Sequence, residues 1–342
     1  MSDISKAINP YVLVAFARAA LAALVDEFPL SKYLPDVLST TNRWQANDAG
    51  TGAVETATAR PLGTPALSIS SEPVMTRSGE LVPIGAQAFV SEEDVLLIAQ
   101  LTSSGNELLA DKAFAKALLV VRSILQRVEL ARGQALAFGA VRFQENGVNA
   151  LADFGANPTS APLQFPVAGT SWNNPAAPAL SDLLAWHEAF MESAGEPAGA
   201  LLVSTAAASA LTRNTEVVTA TGGTGTFAPI GAVQALFQMH GLPPVVTISK
   251  RVRRNGVSTP VLPAERVVFV PATPSGETVW GRTAHGVALV NSGALKIEQM
   301  GGIVAVTHVI PEPPSQQVVA AAAVMPVISR PEAVMSAQVL PA

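Results

Sequence analysis

Ser104-Gly105-Asn106-Glu107-Leu108-Leu109-Ala110-Asp111-Lys112-Ala113-Phe114 opens the stretch that decides the fold of this chain. Ser104 and Glu107 stand at capping-box spacing, so that a hydroxyl and a carboxylate can satisfy the amides of a helix start. Beyond them Phe114, Leu118, Val121, Leu125 and Val128 recur at intervals of four, three, four and three residues. That is one apolar stripe on a 3.6-residue repeat. The spacing predicts a helix over 107–137, roughly 45 Å long, well above the usual three turns. The five stripe residues are its expected packing positions, and Gly133 is expected to end or bend it. A helix of that length with a single stripe needs a partner surface along most of its course.

On the N-terminal side, residues 41–90 shift to Thr, Gly, Ala, Pro and Ser. Extended pieces are expected at 66–69 and 81–84, with a turn at Arg77-Ser78-Gly79-Glu80. So few large apolar side chains cannot build a core, and an extended β-hairpin loop over 41–90 is the economical reading. Residues 1–40 read as an arm. Its one amphipathic stretch (Tyr11, Val14, Phe16, Ala19, Leu24) is closed off by Pro29 and Pro35 and is too short to be stable alone.

On the C-terminal side, residues 146–180 are rich in Asn, Pro, Gly and Ser. Ser181 is then expected to cap a helix with Leu183, Leu184, His187, Phe190 and Met191 on its apolar face, stopped by Gly195. Short elements follow: a strand at 200–204, a helix at 206–213, a helix from Pro229 to His240, and strands at 245–251 and 267–270. Asn255-Gly256 is a hairpin turn. This half is α+β around a mixed sheet. The tail has β-rich runs at 303–310 and 318–328 among prolines 311, 313, 314, 326 and 331, a pattern that suits returning edge strands.

The chain has 342 residues, no cysteine, 21 basic and 26 acidic residues, and a formal charge of −5. Disulfide staples and thiolate metal sites are excluded. Charged residues make up 14% of the chain, against about 25% in ordinary soluble domains. Spread over roughly 13,000 Å², the surface of a compact monomer of this size, they leave roughly one charge per 280 Å². Sparse charge implies burial against neighbours or in a membrane. The apolar stretch over 11–25 is interrupted by Arg18 and too short to span, so no membrane is expected. Extensive self-association remains.

Catalytic constellations are weak. His187, His240, His285 and His308 are not spaced for zinc, and His187 beside Trp186 reads as a packed core residue. Ser204 lacks the flanking glycines of a nucleophile elbow. Glu92, Glu93 and Asp94 read as a solvated helix start rather than a cation site. Lys250, Arg251, Arg253 and Arg254 form the only concentrated positive patch, which is small and without interleaved aromatics. A hairpin or an inter-subunit salt-bridge donor suits it better than a nucleic-acid footprint. Gly223-Thr224-Gly225-Thr226-Phe227-Ala228 fits a dinucleotide-binding pattern if residues 217–221 form a strand, which keeps an NADP-dependent oxidoreductase using Gly223 and Gly225 as an alternative. No cofactor or metal is expected.

Several local sequences, in order, carry a resemblance. They are Leu109-Ala110-Asp111-Lys112-Ala113-Phe114 at the long helix, Gly169-Thr170-Ser171-Trp172 before Pro175 and Ser181-Asp182, and Asn255-Gly256-Val257 followed by Leu262-Pro263. Gly281-Arg282-Thr283 and the terminal Gln338-Val339-Leu340 complete the set. In these the chain resembles the major capsid proteins of tailed bacteriophages (Caudoviricetes) with the Hong Kong 97-type fold, and more narrowly the phage lambda major capsid protein E family. The resemblance implies an α+β capsid fold: an N-terminal arm at 1–40, an extended loop at 41–90 and a peripheral domain at 91–180 with its spine helix. An axial domain at 181–300 and strands at 301–342 returning to the peripheral domain complete it.

It further implies a virion shell subunit without enzymatic activity, assembling as hexamers and pentamers in the host cytoplasm. Its implied partners are a portal, a separate scaffolding protein, a decoration protein, and enclosed double-stranded DNA bound without sequence specificity. The separate scaffold is expected because no long coiled-coil prefix precedes the arm. An encapsulin-like nanocompartment shell is the alternative within the same fold. Expected inter-subunit contacts are Tyr11, Phe16, Phe28, Trp44, Arg60, Arg77, Glu80, Arg251, Arg253 and Arg254. The chain holds six lysines and none in residues 41–90, so a lysine cross-link from that loop is not expected.

Overall fold

The computed structural model describes residues 27–48, 59, 75–93, 105–154, 164–223, 225–292, 301–310 and 315–341. In chain order the elements are β1 (Asp36–Leu38), β2 (Arg43–Asp48), β3 (Met75–Glu80), β4 (Val82–Val90), α1 (Gly105–Phe138), β5 (Ala140–Glu145) and β6 (Val148–Asp153). Then come α2 (Ala179–Ala194), β7 (Ala198–Ser204), α3 (Thr205–Arg213), α4 (Thr215–Ala220), α5 (Ile230–Met239), β8 (Val245–Ile248), β9 (Arg251–Arg254) and β10 (Val257–Pro260). The last are β11 (Arg266–Pro271), β12 (Gly276–Trp280), α6 (Ala284–Asn291), β13 (Val304–Ile310), β14 (Ser315–Ile328) and β15 (Met335–Gln338). The chain divides into two compact units: residues 1–44, 79–132 and 278–326, and residues 45–78, 133–277 and 327–342.

The first unit is a helix on a sheet. Its strands run β1-β12-β14-β13, with β4 pairing β14 as well. β1 lies parallel to β12, whereas β14 is antiparallel to both β13 and β4. The stripe of α1 supplies one side of the core: Ala117, Val121, Ile124, Leu125 and Val128 pack with Ala305, Val318, Ala320, Ala322 and Val324, and Phe114 and Leu118 lie at its margin. Ala320 and Ala322 explain the fit, since small side chains let a long helix settle on the strand backbone. On the other face α6 places Leu289 and Val290 over Val304, Val306 and Val319. β14 is thus a central strand, which corrects the expected edge. Pro326 causes no break because pairing with β4 ends at Val324, opposite Val82.

The second unit carries the sheet β15-β11-β7-β8, antiparallel except for the β7–β8 pair. A parallel pair needs a crossover, and α3, α4 and α5 supply it. Every residue of β11 is buried, as a central strand covered on both faces should be. Two ribbons complete the unit, β5–β6 and β9–β10. Each turns on Asn-Gly with positive φ at both residues, Asn146 (48°) and Gly147 (81°), Asn255 (49°) and Gly256 (81°). That is the backbone a two-residue hairpin requires. The first of these turns was not foreseen, although its dipeptide is the same.

Several local expectations are corrected. α1 does not stop at Gly133; it continues to Phe138, and Gly139 (φ 61°) ends it. α2 begins at Ala179, and its N-cap position is held by Pro178, three residues earlier than Ser181. Its first amides are satisfied instead by the Glu216 carboxylate, which accepts from the Leu180 N–H (2.8 Å), the Ser181 N–H (3.3 Å) and the Ser181 hydroxyl. An anion suits the positive end of a helix. Residues 77–80 are strand, not turn: Gly79 is there because the Trp44 ring fills the place of a Cβ, 2.7 Å away. The loop expected over 41–90 also ends sooner, because β4 is a strand of the first sheet. The strand expected at 245–251 divides, β8 joining the sheet and β9 leaving it for the ribbon. The extended piece at 66–69 lies outside the described residues.

Candidate assembly surfaces

Phe28, Leu30, Tyr33 and Leu34 are all buried, and their segment is pinned to α1 by an ionic cluster. Glu129, fully buried, accepts the Leu30 N–H at 2.8 Å. Arg132, also buried, donates to Glu129 (3.1 Å), to Asp36 and to the Thr278 hydroxyl (2.9 Å). Asp36 accepts the Trp280 indole N–H at 2.7 Å, and the Thr278 hydroxyl donates to the Leu34 carbonyl. Arg122 and Glu27 pair at the exposed margin, 2.6 Å apart. Buried charges persist only when paired and hydrogen-bonded, and here each one is. Sequence reading passed over Glu129 and Arg132 because they break no periodicity. The one available signal was their spacing, acid then base at i and i+3 on one helix.

This cluster bears on the expected contact residues. Phe28 belongs to the core of its own unit, and Trp44 is buried over Gly79. Both therefore already pack within their own subunit. Arg77 donates to the Phe154 carbonyl at 3.1 Å, and Glu80 is exposed. Tyr11, Phe16 and Arg60 lie outside the described residues.

The three arginines of β9 divide by face. Arg254, beside the buried Val252, forms an ion pair with Glu145 of β5, 2.7 Å apart, and so joins the two ribbons. Arg251 and Arg253 alternate to the other face and are exposed. Arg251 donates to the Ser258 hydroxyl and carbonyl on β10, and Arg253 to the Gly256 carbonyl at the turn, so the ribbon itself holds both side chains.

Deeper in the second unit, Arg266 lies between Phe138 and Phe165, 4.8 and 5.9 Å from their ring centroids, and donates to Ser336. Burial pulls its pKa down, although Glu265 opposes this. His187 is the packed core residue that its position suggested. It stacks on Phe269, accepts the Ala198 N–H at Nε2, and burial lowers its pKa. Asp182 is pushed the other way, upward, by burial, against the hydrogen bond donated by the Trp172 indole and helped by Glu216.

The first unit also holds an open cleft of about 870 Å³, floored by Pro83, Gly85, Ala321 and Ala323 and walled by Arg43, Glu80, Arg282 and His285. His285 and His308 approach to 6.0 Å between ring centroids, a pairing that only the tertiary fold creates. Among the described residues no group of three or more His, Cys, Asp or Glu is placed to hold a metal. The glycines at 223 and 225 follow a helix, α4, and not a strand, so the oxidoreductase alternative loses the βα turn it required. No helix among the described residues is long and apolar enough to cross a membrane. What remains to be explained is surface: exposed Phe89 and Leu119 in the first unit, and exposed Leu151, Phe227, Met239 and Val257 in the second.

A long helix laid on a sheet, in one chain with a mixed-sheet α+β unit, is the Hong Kong 97-type fold of phage capsid subunits. A capsid protein from a prophage of Escherichia coli CFT073 shares it over 97% of this chain and 99% of its own, with a TM-score of 0.64 at 13% identity. A phage-related protein from Bordetella bronchiseptica RB50 does so over 98% of each chain, with a TM-score of 0.56 at 14% identity. Residues 25–339 match the family model of phage major capsid protein E, and the chain belongs to that family. It is a structural subunit of a phage capsid shell, self-assembling and located in the virion. Comparison with curated proteins returns no match.

Proposed function

We propose that the chain assembles as hexamers and pentamers into an icosahedral head shell around double-stranded phage DNA. The match over residues 25–339 supports this most directly, because it takes in both compact units. The unit built on α1 serves as the peripheral domain and the unit built on β15-β11-β7-β8 as the axial domain. A separate scaffolding protein guides closure in the host cytoplasm, a portal occupies one vertex, and a decoration protein is a further partner. The enclosed DNA is held by confinement: a chain of net charge −5 offers few cations for phosphate neutralisation.

Sedimentation and electron microscopy of the purified chain test the reading. Ring-shaped capsomers or closed particles are expected. A folded chain that stays monomeric at high concentration overturns it. Boiled particles should run as single chains in denaturing gels, since residues 41–90 offer no lysine for cross-linking.

A further inference from the structure

Two surfaces of the second unit carry unspent charge. On the β9–β10 ribbon, Arg251 and Arg253 stand on one exposed face. Alternate residues of a strand lie about 6.8 Å apart. On α2, Ala185, Glu188, Ala189 and Glu192 form an exposed stripe at i, i+3, i+4 and i+7. Glu188 and Glu192 are one helical turn apart, about 6.0 Å along the axis. None of these four charged side chains takes part in the ion pairs found among the described residues.

We propose that the Arg251–Arg253 face of the β9–β10 ribbon docks on the Glu188–Glu192 stripe of α2 in a second copy of this chain. The two charge spacings agree to within about an ångström, so both guanidinium–carboxylate pairs form together. Ala189 between the acids, and Ala185 one turn before them, let the ribbon backbone come close. Exposed Met191 on the helix adds apolar area beside the acids. The ribbon is built as a rigid donor: β10 holds Arg251, the turn holds Arg253, and the Arg254–Glu145 pair fixes its other face.

Donor and acceptor are different patches of one unit, so the contact is head-to-tail, and a head-to-tail contact that closes makes a ring. Exposed ion pairs contribute little to affinity and much to orientation. Their part here is to set the angle between neighbours. DNA fits the ribbon less well, because two arginines neutralise few phosphates and no aromatic side chain lies between them.

The contact rests on the shell reading, and charge reversal separates the two. Arg251→Glu with Arg253→Glu, and Glu188→Arg with Glu192→Arg, should each keep the wild-type circular dichroism and melting point. Each should lower the assembled fraction at least tenfold, and the four substitutions together should restore it. Pairs that assemble like wild type, or a folded four-fold variant that does not, overturn the contact and leave the shell reading standing. So does normal assembly with loss of nuclease-protected DNA, which would assign the arginines to nucleic acid. A monomeric wild type overturns both. The chain has no cysteine, which gives a gentler second test. Each of Arg251→Cys and Arg253→Cys, combined in turn with Glu188→Cys or Glu192→Cys and treated with a short bis-maleimide, should give at least one ladder of covalent oligomers. Assembled particles that yield no ladder from any of the four combinations overturn the contact.

Discussion

The carbonyl oxygen of Val261 lies where a side chain at residue 133 would have to begin: a Cβ on Gly133 would sit 1.9 Å from it. This glycine, inside a helix of 34 residues, is therefore a point of close approach and not a break. In an open helix Gly→Ala would stabilise by about 1 kcal/mol. Here the methyl group meets backbone that cannot rotate aside. Gly133→Ala is expected to destabilise by about 1–3 kcal/mol, the usual range for overpacking. Thermal denaturation of the variant should show a lowered midpoint; an unchanged or raised one would remove the close-approach account.

The Glu129–Arg132–Asp36 cluster gives a graded prediction. Arg132→Met keeps the bulk of the side chain but leaves a fully buried carboxylate without its cation. Removing one partner of a buried pair costs about 3–5 kcal/mol. Glu129→Gln retains an oxygen for the Leu30 N–H and should cost less. Urea denaturation should rank wild type above Glu129→Gln and that above Arg132→Met. Equal midpoints for the two variants would mean that the cluster acts through shape and not charge.

The periodic parts of this fold are written in the sequence and the contacts of single residues are not. Phe114 to Val128 announces its helix because one spacing repeats over four turns. Asn255-Gly256 announces its hairpin because the dipeptide and its positive φ are bound together. Glycine was read as punctuation at 79 and 133, yet at both positions it makes room, for the Trp44 ring and the Val261 carbonyl. Those neighbours are 35 and 128 residues away in the chain, beyond any local pattern. Phe28 and Trp44 show the same limit: each is an aromatic residue in a segment poor in apolar side chains, and what covers it within the subunit comes from distant parts of the chain. Arg251 and Arg253 were legible as a positive run. Only the alternation of β9 separates them from Arg254, which is spent within the subunit.

His187 gives the second unit a dependence on pH. Its imidazole is buried against Phe269, and burial lowers its pKa from the ordinary value of about 6.5. Above about pH 6.5 the ring is neutral in both folded and unfolded chains and costs nothing. As pH falls below that value the unfolded chain takes up a proton that the folded one resists, so stability declines until the folded pKa is passed. Asp182 works oppositely, its raised pKa favouring the folded state as acid is added, but only in the lower carboxylate range. The midpoint of wild type should therefore fall between pH 7.5 and pH 5.5, and that fall should shrink in His187→Phe. An undiminished fall in the variant would place the proton elsewhere.

Replacing residues 51–72 by a short Gly-Ser linker separates subunit folding from shell closure. The strands of the first sheet resume at Val82, and β2 pairs β3, so a linker between them keeps the ribbon that the two strands form. A deletion reaching residue 84 would be uninformative, because it removes the register partners of Ala322, Ala323 and Val324 and so attacks the core. Within 51–72 the sequence has few large apolar residues, and as loop closure costs little extra for a few more or fewer residues, the subunit should lose little stability. The shorter chain should melt within a few degrees of wild type and fail to form closed particles. Particles of normal size and yield would show that the segment takes no part in holding subunits together.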